Sequence, residues 1–392
     1  MISVEEALKI VAHEASALGA EKIRPFYGLR RFLMEDSVSP IAMPPFRQSA
    51  MDGYAIHSIL TTGKYDVIGE VTAGDNWPGE LKKNQALRIY TGAKVPDSAI
   101  SVVQQEWAVV LGQTVTFNGD VREGQNIRPK GEQIEKGKVA LRKGTCLNAA
   151  AIGYLTGLGI EEITVGRLPN ISLLSTGNEL SETGEELEEG KIYESNLDML
   201  EKALDELGYD VENTLQSNDN LNETEKAIDK LLGESDVVLI TGGISAGKYD
   251  FVGAALEQLS VRPHFYKVEQ RPGKPLWFGT KGQQLVFGLP GNPAAALTCF
   301  YIYVLPALRK MSGGNFAGLA RSTGKLISPY QSSEKRAEFL KVQICNGDVH
   351  VLGGQNSSML NTFALANGLG YVPGEVKDLK KGDDICIYNL PF

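Results

Sequence analysis

Between residues 167 and 312, apolar runs of strand length alternate with amphipathic helical segments. This alternation is typical of a mostly parallel sheet covered by helices, so we predict an α/β domain here. Three of the apolar runs, within residues 171–179, 237–250 and 285–293, end in a glycine turn that carries polar groups. Such turns gather at the carboxyl ends of parallel strands, where the N-termini of the following helices favour an anion. The pattern therefore predicts a site for a phosphorylated or oxyanionic small molecule.

The N-terminal part of the chain has a different pattern. Ser3 and Glu6 form a capping box, and apolar residues at helical spacing continue the predicted first helix to Gly19. Runs of β type then follow, separated by Gly, Pro and Asp turns. They include residues 65–71, 85–90 and 101–106.

The C-terminal 80 residues again alternate in the manner of strands. Asn346-Gly347, a strong hairpin signal, separates the predicted strands 338–345 and 349–352. Residues 140–166 lack a clear period, and we expect them to return the chain past the first helix. The pattern therefore divides the chain into a helical or linker part (1–40 and 138–166), a β-rich domain (41–137), the α/β domain (167–312) and a small C-terminal β domain (313–392).

Size and charge narrow the class of function. With 392 residues the chain is too long for one ordinary core, and 42% hydrophobic and 22% charged residues are typical of a globular protein. The net charge of −9 disfavours nucleic-acid binding, which needs a basic face. An anionic substrate must then be held by local donors rather than by overall attraction.

Cysteine spacing and the N-terminus predict a location. The four cysteines contain no CxxC pair, which predicts neither a zinc cage nor a disulfide framework and fits a reducing compartment. The N-terminus lacks the basic region of a signal peptide, and no apolar run approaches the roughly 18 residues of a membrane span. We expect a cytoplasmic protein without a membrane segment.

The glycine turns supply the first candidate residues. Thr241, Gly243 and Ser245 form a plausible phosphate nest, although a glycine turn that only reverses the chain is an equal alternative. After the third run, Asn292 is suited to cap a helix whose first position is Pro293. That structural interpretation leaves open why the chain has a glycine immediately before Asn292.

Charged candidates accompany these turns. Glu179, Asp219 and Asp250 follow predicted strands, and carboxylates around a bound phosphate suggest Mg²⁺; the alternative is three surface charges. The turn Gln270-Arg-Pro-Gly-Lys-Pro275 is stiffened by two prolines, so Arg271 and Lys274 could act as fixed cations that stabilise an anion. The alternative is a basic loop that is exposed for solubility.

Candidates in the β-rich domain are individually weak. Asp52 precedes a glycine, and Asp-Gly alone indicates a turn. Thr91, in Thr-Gly-Ala, also stands at the end of a predicted strand. Arg128 is a cation suited to phosphate.

Taken together, six motifs closely resemble the molybdopterin molybdenumtransferase family, which includes MoeA and the gephyrin E-domain. They are Ser49-Ala-Met-Asp-Gly-Tyr-Ala55, Thr91-Gly-Ala, Ser175-Thr-Gly-Asn-Glu179, Thr241-Gly-Gly-Ile-Ser245, Arg271-Pro-Gly-Lys-Pro275 and Gly288-Leu-Pro-Gly-Asn-Pro293. The resemblance covers essentially the whole chain. It implies an elongated four-part subunit that forms a homodimer. In this arrangement residues 1–40 and 138–166 form an elongated helical or linker domain that dimerises, and residues 313–392 form a small β-barrel. It also implies that molybdate is inserted into adenylylated molybdopterin with release of AMP, in dependence on a divalent metal.

The resemblance also transfers site residues. It implies a catalytic role for Asp52, Glu179, Asp250 and Lys274, and Asp219 aligns less clearly. Its further site positions, in the α/β, β-rich and C-terminal domains, are Thr91, Pro290, Pro293, Arg336, Ser357 and Ser358. It allows transient contact with other proteins of molybdenum cofactor biosynthesis.

Three positions depart from the family pattern. Gln133 and Asn178 stand where acidic residues are usual, which argues against metal coordination through them. Arg271 replaces a lysine and keeps its charge.

These residues suggest a mechanism. The pterin phosphate and AMP would lie across the second and third glycine turns, with Mg²⁺ near Glu179 and Asp250. Lys274 and Arg271 would bind molybdate or offset charge on the leaving phosphate. Asp52 of the partner subunit would orient molybdate or accept a proton.

Two other functions compete. An adenylyltransferase would need only the α/β domain, so the flanking domains argue against it, and consumption of ATP would reveal it. The second is a receptor-binding scaffold, like the gephyrin relatives. Its activity would not depend on the site carboxylates or on Lys274.

Overall fold

The computed structural model of the protein describes residues 1–60, 63–244, 251–332 and 335–391. The first helix, α1 (Val4–Glu14), begins as predicted, with the Glu6 main-chain N–H donating to Ser3 Oγ over 3.1 Å. It ends at Glu14 rather than at Gly19, because the next segment leaves the helix and the Leu18 N–H donates to Met311 O. Two strands follow, β1 (Ala20–Ile23) and β2 (Ser37–Val38).

The β-rich part is one six-stranded sheet with a small two-stranded ladder beside it. Its strands are β3 (Gln48–Ser49), β4 (Gly53–Ile56), β5 (Lys64–Val71), β6 (Gln85–Ile89), β7 (Ser101–Gln104), β8 (Ala108–Leu111), β9 (Thr114–Phe117) and β10 (Ile127–Arg128). The sheet order is β7-β4-β6-β5-β9-β8, and β3 pairs with β10. The three predicted strands are confirmed. The third, β7, is shorter than expected because a 3₁₀ turn begins at Gln105, whose N–H donates to Asp52 O.

The returning segment contains β11 (Val139–Leu141), α2 (Ala149–Gly157) and β12 (Ile163–Gly166). It runs beside residues 20–38 and not beside α1, since β12 pairs with β1 and β11 with β2. The sequence pattern missed α2, which Asn148 caps by accepting the Ala151 N–H. Instead of packing here, α1 places Val4, Ala7 and Val11 in the core of the α/β domain.

The α/β domain contains the central sheet. In spatial order its strands are β16 (Val211–Ser217), β13 (Ile171–Thr176), β17 (Val237–Thr241), β21 (Gln284–Leu289), β20 (Trp277–Lys281) and β18 (Arg262–Tyr266). The first four strands in that order are parallel and the last two are antiparallel to their neighbours. A π-helical turn, Phe300–Val304, joins the last two helices. The elements are β13 (Ile171–Thr176), β14 (Leu180–Ser181), β15 (Ile192–Tyr193), α3 (Asn196–Glu206), β16 (Val211–Ser217), α4 (Leu221–Glu234), β17 (Val237–Thr241), α5 (Phe251–Gln258), β18 (Arg262–Tyr266), β19 (Gln270–Arg271), β20 (Trp277–Lys281), β21 (Gln284–Leu289), α6 (Pro293–Cys299) and α7 (Leu305–Met311).

The strands of the C-terminal part follow the order β24 (Ala337–Cys345), β25 (Asp348–Val351), β22 (Arg321–Leu326), β28 (Asp384–Asn389) and β26 (Gly368–Val372). The last strand, β26, pairs back with β24, so this part is a closed barrel. Asn346 and Gly347 form the predicted hairpin with φ of 51° and 87°, as a type I′ turn requires. The short strand β19 pairs with β24 and so joins the α/β domain to the barrel. The elements are β22 (Arg321–Leu326), β23 (Tyr330–Gln331), β24 (Ala337–Cys345), β25 (Asp348–Val351), α8 (Leu360–Phe363), β26 (Gly368–Val372), β27 (Asp378–Leu379) and β28 (Asp384–Asn389).

The fold thus has the predicted class: a central α/β domain with a β-rich domain, a linker and a C-terminal β-barrel. Among the described helices, none has the length and apolar character needed to cross a membrane.

Candidate functional site

The carboxyl ends of β13, β17 and β21 lie side by side, because these strands are neighbours in the central sheet. The turns that follow them therefore meet at one edge, where they border a cavity of about 560 Å³. The predicted convergence of the three glycine turns is confirmed. We call this cavity the first lobe.

The turn after β17 is built for close approach of main chain. Gly242 and Gly243 have φ of +83° and +60°, which side chains rarely adopt. A Cβ on Gly242 would lie 2.2 Å from Thr176 O, and one on Gly243 would lie 2.5 Å from Thr176 Oγ1. Only glycine fits there, and the turn borders the first lobe together with Thr241. The phosphate nest itself stays a prediction. Ser245 lies outside the described residues.

Two of the three predicted metal ligands, Glu179 and Asp219, are among the described residues. Glu179 is exposed and lines the first lobe. The Asp219 N–H donates to Asn178 Oδ1 over 3.0 Å, which holds the Asp219 loop beside the Glu179 turn. Asp250 lies outside the described residues. In the ranges that are described, no three His, Cys, Asp or Glu side chains are grouped to hold a metal ion, so the metal site stays a prediction.

The wall beside α3 contains residues that the sequence did not single out as site residues. The Glu194 carboxylate accepts the N–H groups of Asn196 and Leu197, at 2.9 and 3.1 Å, and so caps α3. The sequence pattern favours Ser195 or Asn196 as the cap of this helix. Ser195 does occupy the N-cap position, but its side chain makes no cap bond. The sequence does contain one signal for this cap, because Glu194 is a carboxylate that stands just before the apolar residues of α3. Asn196 Nδ2 instead donates to Gly291 O over 2.8 Å and ties α3 to the third turn.

A second lobe of about 410 Å³ adjoins the first. The two lobes share a wall formed by Pro275, Pro290, Asn292 and Ser358. The second lobe is also lined by polar and cationic candidates from the α/β domain and the barrel, namely Arg271, Lys274, Arg336 and Ser357. Glu179 and Lys274 therefore line the two lobes of one crevice.

The third turn joins the α/β domain to the barrel. Asn292 occupies the N-cap of α6 and Pro293 its first position, as predicted. The Asn292 side chain, however, makes no cap bond; its Nδ2 donates to Ser357 Oγ over 2.8 Å. The purely structural explanation of Asn292 was thus incomplete, because its side chain serves the crevice wall rather than the helix.

The basic turn presents its two cations differently. Arg271 Nη1 lies 3.6 Å from Glu338 Oε1, and the Glu338 side chain is 1% exposed. Lys274 is exposed, and no carboxylate of the described residues lies within 4.0 Å of its Nζ. The charge of Arg271 is partly balanced inside the protein, whereas that of Lys274 faces the crevice.

Comparison with known proteins explains this combination of domains. The chain matches family profiles described as the MoeA N-terminal region (domains I and II) over residues 2–159, a probable molybdopterin-binding domain over 172–310 and the MoeA C-terminal region (domain IV) over 323–390. It is 31% identical to a molybdopterin molybdenumtransferase of Staphylococcus epidermidis, over 98% of this chain and 95% of the relative. The chain belongs to the molybdopterin molybdenumtransferase family. It is accordingly a transferase of molybdenum cofactor biosynthesis.

Further relatives agree with the family assignment. The chain is 33% identical to the molybdopterin molybdenumtransferase of Haemophilus influenzae, over 91% of this chain and 90% of the relative. The crystal structure of a molybdopterin biosynthesis MoeA protein from Pyrococcus horikoshii superposes with a TM-score of 0.84 at 30% identity, covering 99% of both chains. The similarity extends over all parts of the fold.

The remaining transferase candidates lie in the β-rich domain. The main-chain N–H and the hydroxyl of Thr91 both donate to Asp52 Oδ1 over 2.7 Å. These bonds lower the pKa of the Asp52 carboxyl, the main-chain bond contributing most. Arg128 belongs to the same region, because it pairs with Gln48, whose Nε2 donates to Gly92 O. None of Asp52, Thr91 and Arg128 is among the described residues that line the crevice of the same chain.

Two of the three departures from the family pattern have an account in the structure. Asn178 uses its amide oxygen to hold the Asp219 main chain, a bond that an aspartate could also accept. Arg271 reaches a buried carboxylate on the barrel. The Gln133 side chain is exposed, and nothing in the structure explains its replacement of an acidic residue.

Proposed function

We propose that this protein inserts molybdate into adenylylated molybdopterin and releases AMP. One observation carries the proposal: a glycine turn that admits no side chain and an exposed lysine line adjoining lobes of one crevice. A substrate that joins a pterin to a nucleotide through phosphate needs such a site beside a separate place for an oxyanion.

In the first lobe, the main chain does most of the binding. The Gly242–Gly243 turn and Pro293, the first residue of α6, line the lobe, and the main-chain N–H groups of the glycine turn are the donors that would bind phosphate. Thr241 and Asn292 add polar side chains at the same edge. Because the turns are fixed by packing against Thr176, binding costs little reorganisation.

The residues of the first lobe fit a bound Mg²⁺. This ion is typically held by one or two carboxylates together with substrate phosphates and waters, and Glu179 is an exposed carboxylate beside the phosphate nest. Glu179 would hold it, with Asp219 and Asp250 as the other candidates. When bound, the ion would offset negative charge on the phosphoanhydride.

In the second lobe, fixed cations and hydroxyls face an oxyanion. Lys274 contributes an exposed positive charge. Arg271 and Arg336 contribute planar guanidinium groups, whose N–H groups can donate hydrogen bonds to an oxyanion. Ser357 and Ser358 add hydroxyl donors from the barrel side. Together these groups can surround a tetrahedral dianion such as molybdate.

The homodimer and the role of Asp52 complete the proposal. Asp52 and Thr91 form a polar corner away from the crevice of their own chain, so a partner subunit would bring that corner to the crevice, with Arg128 nearby. Asp52 would orient the incoming molybdate or accept a proton released during the reaction. A dilute monomer should therefore be inactive. We place the reaction in the cytoplasm, with transient contact to other proteins of the pathway.

The proposal is tested by incubating the purified protein with adenylylated molybdopterin and Mg²⁺, with and without molybdate, and measuring AMP. We expect AMP release that depends on molybdate and is abolished in Lys274→Ala. Absence of molybdate-dependent AMP release would contradict the proposal. Consumption of ATP with molybdopterin would instead indicate an adenylyltransferase.

A further inference from the structure

A buried glutamine lies directly beneath the basic turn. Gln270 is fully buried, and its Nε2 donates to Pro272 O over 3.0 Å and to Gly273 O over 3.4 Å. These two carbonyls belong to the residues immediately before Lys274. The glutamine amide therefore satisfies main-chain acceptors that the interior of the protein shields from water.

A buried tyrosine fixes the orientation of that amide. The Tyr303 hydroxyl donates to Gln270 Oε1, so the amide oxygen must face Tyr303 and its nitrogen must face the turn. Tyr303 is fully buried and comes from the π-helical turn between α6 and α7. Such turns shift the side-chain register of a helix by inserting one residue and are frequent near functional sites.

The turn is closely packed on this pair. Gly273 has φ of +88°, and a Cβ there would lie 2.7 Å from Gln270 Nε2 and 2.5 Å from Cys299 Sγ. Beyond the turn, Lys274 O accepts the N–H groups of Val268 and Leu276, both over 3.0 Å. The main chain on both sides of Lys274 is thus held from within, while the lysine side chain remains exposed.

We propose that Gln270 and Tyr303 are positioning residues that fix Lys274 for the oxyanion in the second lobe. The proposal rests on the proposed function for the identity of the anion. A fixed cation stabilises an anion better than a mobile one, because no ordering is required when the anion binds. Neither residue lines the first lobe, so nucleotide binding should not depend on them.

The test uses Tyr303→Phe, which removes only the hydroxyl, and Gln270→Leu, which removes the bond to Tyr303 and both bonds to the turn carbonyls. The control is Tyr301→Phe, a buried tyrosine of the same π-helical turn that lines neither lobe. Affinities for molybdate alone and for AMP alone are measured by calorimetry on the full-length protein. Hydrogen exchange of the Gly273 and Lys274 amides is measured on the same samples.

We expect Tyr303→Phe to bind molybdate about tenfold more weakly, the cost of about one hydrogen bond, and Gln270→Leu to bind it more weakly still, because it removes the bonds to the turn itself. Both variants should keep their AMP affinity and show faster exchange at the turn. The control should match the wild type. Unchanged molybdate affinity would overturn the inference, and so would an equal loss of AMP and molybdate binding, which indicates a general folding defect. If the wild type binds no molybdate, the proposed function fails. Hydrogen exchange of the Gly273 and Lys274 amides then decides whether Gln270 and Tyr303 fix the turn.

Discussion

Asn292 and Ser357 are 65 positions apart in the chain, yet the Asn292 amide donates a 2.8 Å hydrogen bond to the Ser357 hydroxyl. The Ala295 N–H also donates to Ser357 O, over 3.3 Å. The first turn of α6 and the serine loop of the barrel are therefore joined where the two lobes meet. This junction places a wall from the barrel against a site whose other walls come from the central sheet.

Double substitution should reveal the strength of this junction. We expect Asn292→Ala and Ser357→Ala to show a coupling free energy of about 1 kcal/mol in molybdate binding, since each variant removes the same hydrogen bond. The measurement is calorimetry on the two single variants and the double variant. Ser322→Ala, which loses a hydrogen bond to Asn389 elsewhere in the barrel, is the control and should leave molybdate binding unchanged. Additive effects of the two alanines would mean that the bond does not support the site.

The glycine turn of the first lobe should tolerate no side chain. Gly243→Ala would place a methyl group 2.5 Å from Thr176 Oγ1 at a φ of +60°, so we expect loss of AMP binding by more than tenfold. Gly233→Ala is the matched control, because nothing lies within 4 Å of its added Cβ in α4. That variant should bind AMP normally and be stabilised by about 0.5–1 kcal/mol. Normal AMP binding by Gly243→Ala would show that the phosphate lies elsewhere.

The acid limit of activity should depend on Thr91. Its bonds lower the pKa of Asp52, so the carboxylate keeps its charge as the pH falls below the usual range for aspartate. Thr91→Val removes the hydroxyl bond and leaves the stronger main-chain bond, so the pKa of Asp52 should rise part of the way to its ordinary value. We expect the acid limb of AMP release to move to higher pH. The control is Thr116→Val, elsewhere in the same domain, which should leave the acid limb unchanged. If Thr91→Val and the wild type had identical pH profiles, an ionised Asp52 would be excluded from the reaction.

Glu194 should make stability fall as the pH rises. Burial raises the pKa of its carboxyl despite the main-chain N–H groups that it accepts. A raised pKa in the folded state means that the contribution is favourable at low pH and is lost as the pH rises through that pKa. The melting temperature of Glu194→Gln relative to the wild type should therefore increase between about pH 4 and 7. If this difference in melting temperature stayed constant or decreased over the range, the pKa of Glu194 would not be raised in the folded protein.

The sequence predicted those parts of the structure that repeat along the chain. The alternation of β13, β17 and β21 with helices was enough to bring three glycine turns to one edge, because parallel strands end on the same side. Asn346-Gly347 likewise specified its hairpin, since the φ values of that turn favour these residues. Both predictions depend on local spacing.

Contacts between distant segments could not be predicted in this way. The spacing around Asn292 indicates a helix cap, but nothing near it in the sequence indicates Ser357 as the partner of its amide. Gln270 and Tyr303 read as ordinary residues of a strand and a helix, although they meet in the core. The end of α1 at Glu14 depends on a carbonyl of Met311, which no local pattern contains.

We propose that one crevice holds a nucleotide-linked phosphate and an oxyanion in separate lobes. The sharpest test is a crystal structure with AMP and molybdate bound together. We expect the AMP phosphate at the Gly242–Gly243 turn and molybdate within hydrogen-bonding distance of Lys274 and Ser357. Molybdate bound away from Lys274, or AMP occupying the second lobe, would contradict it.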